Sequence, residues 1–226
     1  MPEAAIFDVD GTLVDSNELH ALAWQRAFHR VGREIALDAI RPQIGKGADQ
    51  LIPVFLHGAE LRERGEEVER QKTEIFLNDY LFRVRPFPKV AELFARLRAQ
   101  GTRIALATSA KEKELAAYRR ICPGLSQVDQ QTTADQAARS KPAPDIFAAA
   151  LAQAGLTPRQ AVVIGDSPYD AAAATRLGII AIGLLCGGFG AGVLREAGCA
   201  AVYRDPEDLL ANLDRSPLAE PSARVA

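Results

Sequence analysis

Cysteine is scarce in this chain, as are methionine and tryptophan: three, one and one among 226 residues. Cys122, Cys186 and Cys199 are odd in number and stand at unrelated spacings, which argues against a disulfide framework and offers no CxxC metal knuckle. A reducing, cytoplasmic setting is the expectation. An excess of one charge is missing too. Lysine and arginine total 27 against 29 aspartates and glutamates, so no basic surplus points to nucleic acid or to an anionic membrane as partner. No apolar run approaches the ~20 residues that span a bilayer. The N-terminus, Met1-Pro2-Glu3, passes into an apolar segment without a basic leader. Internal repeats are absent, and nothing in the sequence fixes an oligomeric state.

What remains is ordinary globular texture, 48% hydrophobic and 25% charged, enough for one large core or a core with a small second domain. A first short strand, residues 4–9, ends in Asp10-Gly11-Thr12. Residues 15–85 then read as helix throughout, with no strand. A helix over 17–31 carries Leu19, Leu22, Ala23, Ala27 and Phe28 on one stripe, and a charged helix is expected over 59–80. After Pro86-Phe87-Pro88 the pattern alternates. Near-continuous apolar strands at 103–107, 128–132, 161–164, 179–182 and 200–203 are separated by helices that stop at glycine. That alternation predicts an α/β fold, a Rossmann-like parallel sheet buried on both faces by helices. The predicted organisation is a discontinuous core, 1–14 and 86–213, with residues 15–85 inserted between its parts. The Ser- and Pro-rich stretch 214–226 reads as a disordered tail.

Open sheets of this kind bind ligands at the carboxyl ends of their strands. The first strand ends in Asp8 and Asp10, which strand alternation places on one face. Two carboxylates that close repel unless a cation or proton lies between them, although a turn rich in Asp and Gly that merely stops a strand is the plainer reading. The strand at 161–164 runs into Gly165-Asp166-Ser167-Pro168-Tyr169-Asp170, where Asp166 and Asp170 share a side one helical turn apart. Helix capping accounts easily for one of them, less well for both. A hard divalent cation is the natural partner of such a set. The strand at 103–107 ends in Thr108-Ser109, which offers hydroxyls and backbone N–H groups for a phosphate. Lys141 stands beside Pro142 and close to Pro144, so little entropy is lost in positioning its ammonium.

FDVDGTLVDS, ALATS, SKPAPDIF and VIGDSPYD, in that order, resemble the haloacid dehalogenase superfamily of phosphotransferases over residues 4–20 and 86–204. The resemblance implies roles residue by residue. Asp8 is the nucleophile, and Asp10 the general acid and then base. Thr108 and Ser109 bind phosphoryl oxygens, and Lys141 balances charge. Asp166 ligates Mg²⁺ beside Asp8 and the Asp10 carbonyl, with Asp170 supporting the metal. The helical block 15–85 falls where the family inserts its α-helical cap, and its entry resembles the phosphoglycolate phosphatase and β-phosphoglucomutase branch. His20 orients a substrate hydroxyl or Asp10, or only packs. Gly45-Lys46-Gly47 is an interhelix turn or a loop reaching into the site, with Lys46 on the anionic end of the substrate. The implied substrate is a small phosphorylated metabolite. A sugar-phosphate mutase and a non-catalytic binding module are the alternatives. Gly187-Gly188-Phe189-Gly190 lacks the spacing of a dinucleotide fingerprint and reads as a loop at the site rim.

Overall fold

A computed structural model describes residues 1–219. The chain opens with β1 (Ala4–Phe7) and a two-residue strand β2 (Val14–Asp15). Four helices follow: α1 (Asn17–Arg30), α2 (Leu37–Ile40), α3 (Ala48–Phe55) and α4 (Gly58–Ile75). A π-turn over Phe76–Tyr80 and a 3₁₀ turn over Leu81–Arg83 bring the chain to β3 (Arg85–Pro86). The remainder alternates: α5 (Val90–Ala99), β4 (Arg103–Ala107), α6 (Glu112–Ile121), β5 (Gln130–Thr132), α7 (Asp145–Ala154), β6 (Ala161–Gly165), α8 (Pro168–Arg176), β7 (Ile180–Leu184), α9 (Ala191–Glu196), β8 (Cys199–Tyr203) and α10 (Pro206–Ala211).

Six strands form one parallel sheet in the order β5-β4-β1-β6-β7-β8. All residues of β1 and β6 are buried, because side chains on both faces are covered. Phe7, Leu106 and Ile164 pack in a cluster with Phe94 of α5 and Leu209 of α10. Ile6, Ala107 and Val163 pack in another with Phe147 of α7 and Ala171 of α8. This two-faced burial explains why the strands read as apolar runs rather than as alternating patterns. Among the described residues no helix is long and apolar enough to cross a membrane.

Two expectations need correction. Residues 15–85 are not free of strand: β2 and β3 pair antiparallel, Val14 with Pro86 and Asp15 with Arg85, where the helical block leaves and rejoins the sheet. Two-residue strands leave too little sequence for a period to register. The disordered tail also fails over its first part. Ser216 and Leu218 are fully buried, and Leu218 belongs to the cluster that holds Phe7 and Phe94. Composition marked Pro217 and Ser216 as loop formers but carried no sign that one leucine docks. Residues 220–226 of that expected tail lie outside the described residues.

Leu218→Ala should lower the free energy of unfolding by about 2–4 kcal/mol, the usual cost of emptying a buried leucine site. Urea titration of the variant checks this, and an unchanged midpoint would mean that the segment is not docked.

Candidate active site

The carboxyl ends of β1, β4 and β6 meet at one point. Asp8 follows β1 directly and stays tied to the sheet, its N–H donating to the Ile164 carbonyl at 2.9 Å. It shares strand parity with Ile6, so its side chain points to the α7–α8 face. There Lys141, fully buried just ahead of α7, places Nζ 2.7 Å from Asp8 Oδ1 and 2.8 Å from Asp170 Oδ1. Asp170 lies in the first turn of α8, which starts at Pro168 and is capped by Ser167; its Oδ2 accepts from Ser167 Oγ at 2.5 Å. Asp166, at the end of β6, accepts from Thr12 Oγ1 at 2.9 Å and from Asn17 Nδ2 at 2.8 Å. Gly11, at φ +74°, lets the chain pass so close to Asp166 and Asn17 that any Cβ there would collide with both.

Asp8, Asp166 and Asp170 each offer an oxygen within 4.8 Å of the others, and all three are buried. Burial drives the Asp8 pKa well above the ordinary range; Asp170 and Asp166 add to the rise and Lys141 opposes it. Burial, then Asp170, pushes Asp166 up to about 7 against the hydrogen bonds from Asn17 and Thr12. One ammonium cannot neutralise three carboxylates. The two negative charges left over match a divalent cation, and an all-oxygen set with few protein ligands suits a hard ion shared with a phosphate. The residues present therefore fit such a metal.

Asp10 stands apart. β1 ends at Phe7 and the chain turns; the Asp10 carboxylate lines the same cleft as Asp8 but is not among the three carboxylates that lie within 4.8 Å of one another. Its Oδ1 accepts from Ser16 Oγ at 2.6 Å, Tyr118 Oη at 2.6 Å and His20 Nε2 at 2.8 Å. Burial pushes the Asp10 pKa up, yet His20, Ser16 and Tyr118 together outweigh it and hold the carboxyl well below its usual range. Oδ2 takes none of these bonds. His20 also stacks on Phe76 with ring centres 3.9 Å apart, so it both packs and orients Asp10.

These groups open into a cleft of about 340 Å³, bounded on the sheet side by Asp8, Asp10, Ser109 and Ser140 and on the helical side by His20, Trp24, Lys46 and Lys72. Ser109 lines the cleft, and its buried Oγ has no hydrogen-bond partner among the described residues. Thr108 is buried behind it, its Oγ1 accepting from the Ala110 N–H at 3.0 Å. The Gly45-Lys46-Gly47 segment does reach the sheet domain. Gly45 lies against Ser167 and Gly47 against Ser140, close enough that a side chain at either would clash. The Lys46 ammonium, however, donates to Gln43 Oε1 at 2.6 Å and sits 4.9 Å from the centre of the Tyr169 ring. Burial lowers its pKa. Gly187 lies against the Asp166 side chain rather than on the cleft lining, its carbonyl accepting from Asn17 Nδ2 at 2.9 Å.

Residues 2–178 match the haloacid dehalogenase-like hydrolase family. The chain belongs to that family. It is 27% identical over 209 residues to a phosphorylated carbohydrates phosphatase of Thermotoga maritima, covering 92% of this chain and 96% of that protein. It is 34% identical over 187 residues to a phosphoglycolate phosphatase of Yersinia pestis, covering 80% of each. The crystal structure of a hydrolase from Pseudomonas syringae superposes with a TM-score of 0.85 at 29% identity, covering 94% of this chain and 98% of that one.

Within this member of the haloacid dehalogenase-like hydrolases, four supporting residues escaped the sequence: Thr12, Asn17, Ser16 and Tyr118. Thr12 and Ser16 sit inside the first motif and Asn17 directly follows it, so proximity to Asp8 was the available signal. Tyr118 carried none, because 108 positions separate it from Asp10.

Lys141→Met, which leaves Asp8 and Asp170 buried without their cation, should cost about 3–5 kcal/mol in metal-free buffer. Denaturant unfolding in EDTA measures it, and a loss under about 1 kcal/mol would contradict the structural weight given to this ammonium.

A second prediction concerns pH. Asp166 binds its proton more tightly in the fold than in the unfolded chain, so the metal-free protein loses stability as pH rises from the ordinary carboxylate range towards 7. A divalent cation must displace that proton. The rise in melting temperature produced by millimolar MgCl₂ should therefore be larger at pH 8 than at pH 6. An equal rise at both values, by differential scanning fluorimetry, would contradict the cluster as the binding site.

Proposed function

We propose that the protein is a magnesium-dependent phosphomonoesterase acting on small phosphorylated metabolites through a phosphorylated Asp8. The observation that carries this reading is the buried Asp8 at the cleft floor, tied to Lys141 and backed by Asp166 and Asp170. Asp8, Asp166 and the Asp10 carbonyl would hold the ion, with Asp170 supporting. When bound, magnesium supplies the positive charge that lets an anionic phosphate approach a carboxylate.

Asp8 attacks phosphorus, an Asp8 O–P bond forms, and the bond from phosphorus to the ester oxygen breaks as Asp10 delivers a proton to that oxygen. Water then attacks phosphorus, Asp10 accepts its proton, and Asp8 is released with inorganic phosphate. The three donors on Oδ1 fix the Asp10 side chain and leave Oδ2 for the proton transfers. They favour the ionised, base-ready form; the arriving phosphate dianion favours the protonated one. Ser109 Oγ and the backbone after β4 receive phosphoryl oxygens, with Thr108 shaping that turn. Lys141 keeps Asp8 oriented and offsets charge.

Residues 15–85 act as a cap over the core of 1–14 and 86–213, hinged at the β2–β3 ribbon, and exclude water on closing. The low cysteine content supports a cytoplasmic setting. A mutase reading is weakened by Asp49, whose carboxylate accepts from the Ser140 N–H at 3.1 Å in the stretch where a cation would hold a second phosphate. The complete set Asp8, Asp10, Lys141 and Asp166 weighs against a non-catalytic module.

Purified protein should hydrolyse p-nitrophenyl phosphate with Mg²⁺ and lose the activity in EDTA. Asp8→Asn should lower kcat by at least about a thousandfold, since the nucleophile itself is lost. Turnover by Asp8→Asn within tenfold of the parent would remove Asp8 from its role.

A further inference from the structure

Resting on the phosphatase reading, we infer that the substrate's non-transferred part is uncharged and hydroxyl-bearing, a sugar or polyol monophosphate rather than a phosphorylated acid or a bisphosphate. Of the three lysines lining the cleft, two are paired with carboxylates and the third is turned to a neutral amide. Lys72 of α4 places Nζ 3.0 Å from Glu114 of α6, with side chains only 11% and 3% exposed. Lys111, just ahead of α6, pairs with Glu69 of α4 at 2.6 Å. The Lys46 ammonium is turned to Gln43 and to Tyr169, a ring that does not line the cleft. Among the described residues no arginine lines the cleft, so the bidentate fork that recognises carboxylate or a second phosphate is missing.

Outside those pairs two carboxylates, Asp49 and Asp135, stand against the single ammonium of Lys46, and both accept from backbone N–H groups rather than from a cation. Asp49 and Asp135 line the same cleft beside the two ion pairs, leaving a distal region that repels a second anion and accepts hydrogen bonds from hydroxyls. A substrate carboxylate could claim Lys72 only by stranding Glu114, which is buried on the protein side of the pair; a buried carboxylate without a partner is strongly disfavoured. Trp24 supplies an apolar plate in the same wall, with the Lys72 ammonium 5.8 Å from its ring. Carboxylate acceptors and an indole lining one cleft suit the hydroxyls and C–H surface of a sugar. Specificity here comes from what is repelled as much as from what is bound.

The test compares kcat/KM of the full chain with Mg²⁺ on two sets of substrates. Glucose 1-phosphate, glucose 6-phosphate, fructose 1-phosphate and sorbitol 6-phosphate form the neutral set. 2-Phosphoglycolate, 3-phosphoglycerate and fructose 1,6-bisphosphate form the anionic set. The best neutral substrate should exceed the best anionic one by about tenfold or more, the scale of like-charge repulsion in a partly closed site. A smaller margin, or no turnover of the neutral set while p-nitrophenyl phosphate is still hydrolysed, overturns the inference. Failure on p-nitrophenyl phosphate itself would instead sink the phosphatase reading. Glu114→Gln, which frees Lys72, should narrow the margin by raising kcat/KM on 2-phosphoglycolate; an unchanged margin in a folded variant overturns the role given to this pair.

Discussion

Everything at the site depends on one buried ammonium. Lys141 Nζ touches Asp8 and Asp170 at once and has no exposure to water. Charges are removed from water at high cost, and the cost is met only where opposite charges and hydrogen bonds are well placed. Lys141 meets it for two carboxylates, while Thr12 and Asn17 partly meet it for Asp166. The site is still short of positive charge. That deficit matches the charge of a divalent ion, whose binding would lower the repulsion met by an arriving phosphate.

The two aspartates of the first motif are separated by environment rather than by sequence. Asp8 is hemmed in by carboxylates and low dielectric, which raise its pKa, whereas three donors on Asp10 lower its own. Before a cation binds, these environments favour a protonated Asp8 and an ionised Asp10; a divalent ion beside Asp8 would favour its ionised form. His20 and Ser16 come from the entry to the helical block, and Tyr118 comes from α6. The Asp10 carboxylate is thus held jointly from the entry to the helical block and from α6. The helical block and the α6 region meet again at the Lys72–Glu114 and Glu69–Lys111 pairs, all four residues lining the cleft that holds Asp10.

Much of this was legible in residue order. Strands buried on both faces must be apolar throughout, so β1, β4, β6 and β7 announced themselves, and the acids at the ends of β1 and β6 followed from sheet geometry. Lys141 was marked by its neighbouring prolines. What holds Asp10 was not legible, because β1 stops at Phe7 and the turn that follows, not strand alternation, sets its partners. Tyr118 and Glu114 were hidden for a different reason. On α6 both carry ordinary helix spacing, and only the packing of α6 against the cap turns them inward. Leu218 is similar: a single docking leucine after a run of turn formers has no periodicity to betray it.

The central claim is that Asp8 carries the phosphoryl group. An acyl phosphate is reduced by borohydride to the alcohol, so quenching the enzyme during turnover with sodium borohydride and sequencing the N-terminal peptide by mass spectrometry locates it. The account predicts homoserine at position 8 and unmodified aspartate at position 10. Homoserine at position 10, or no reduced residue while phosphate is being released, would contradict it.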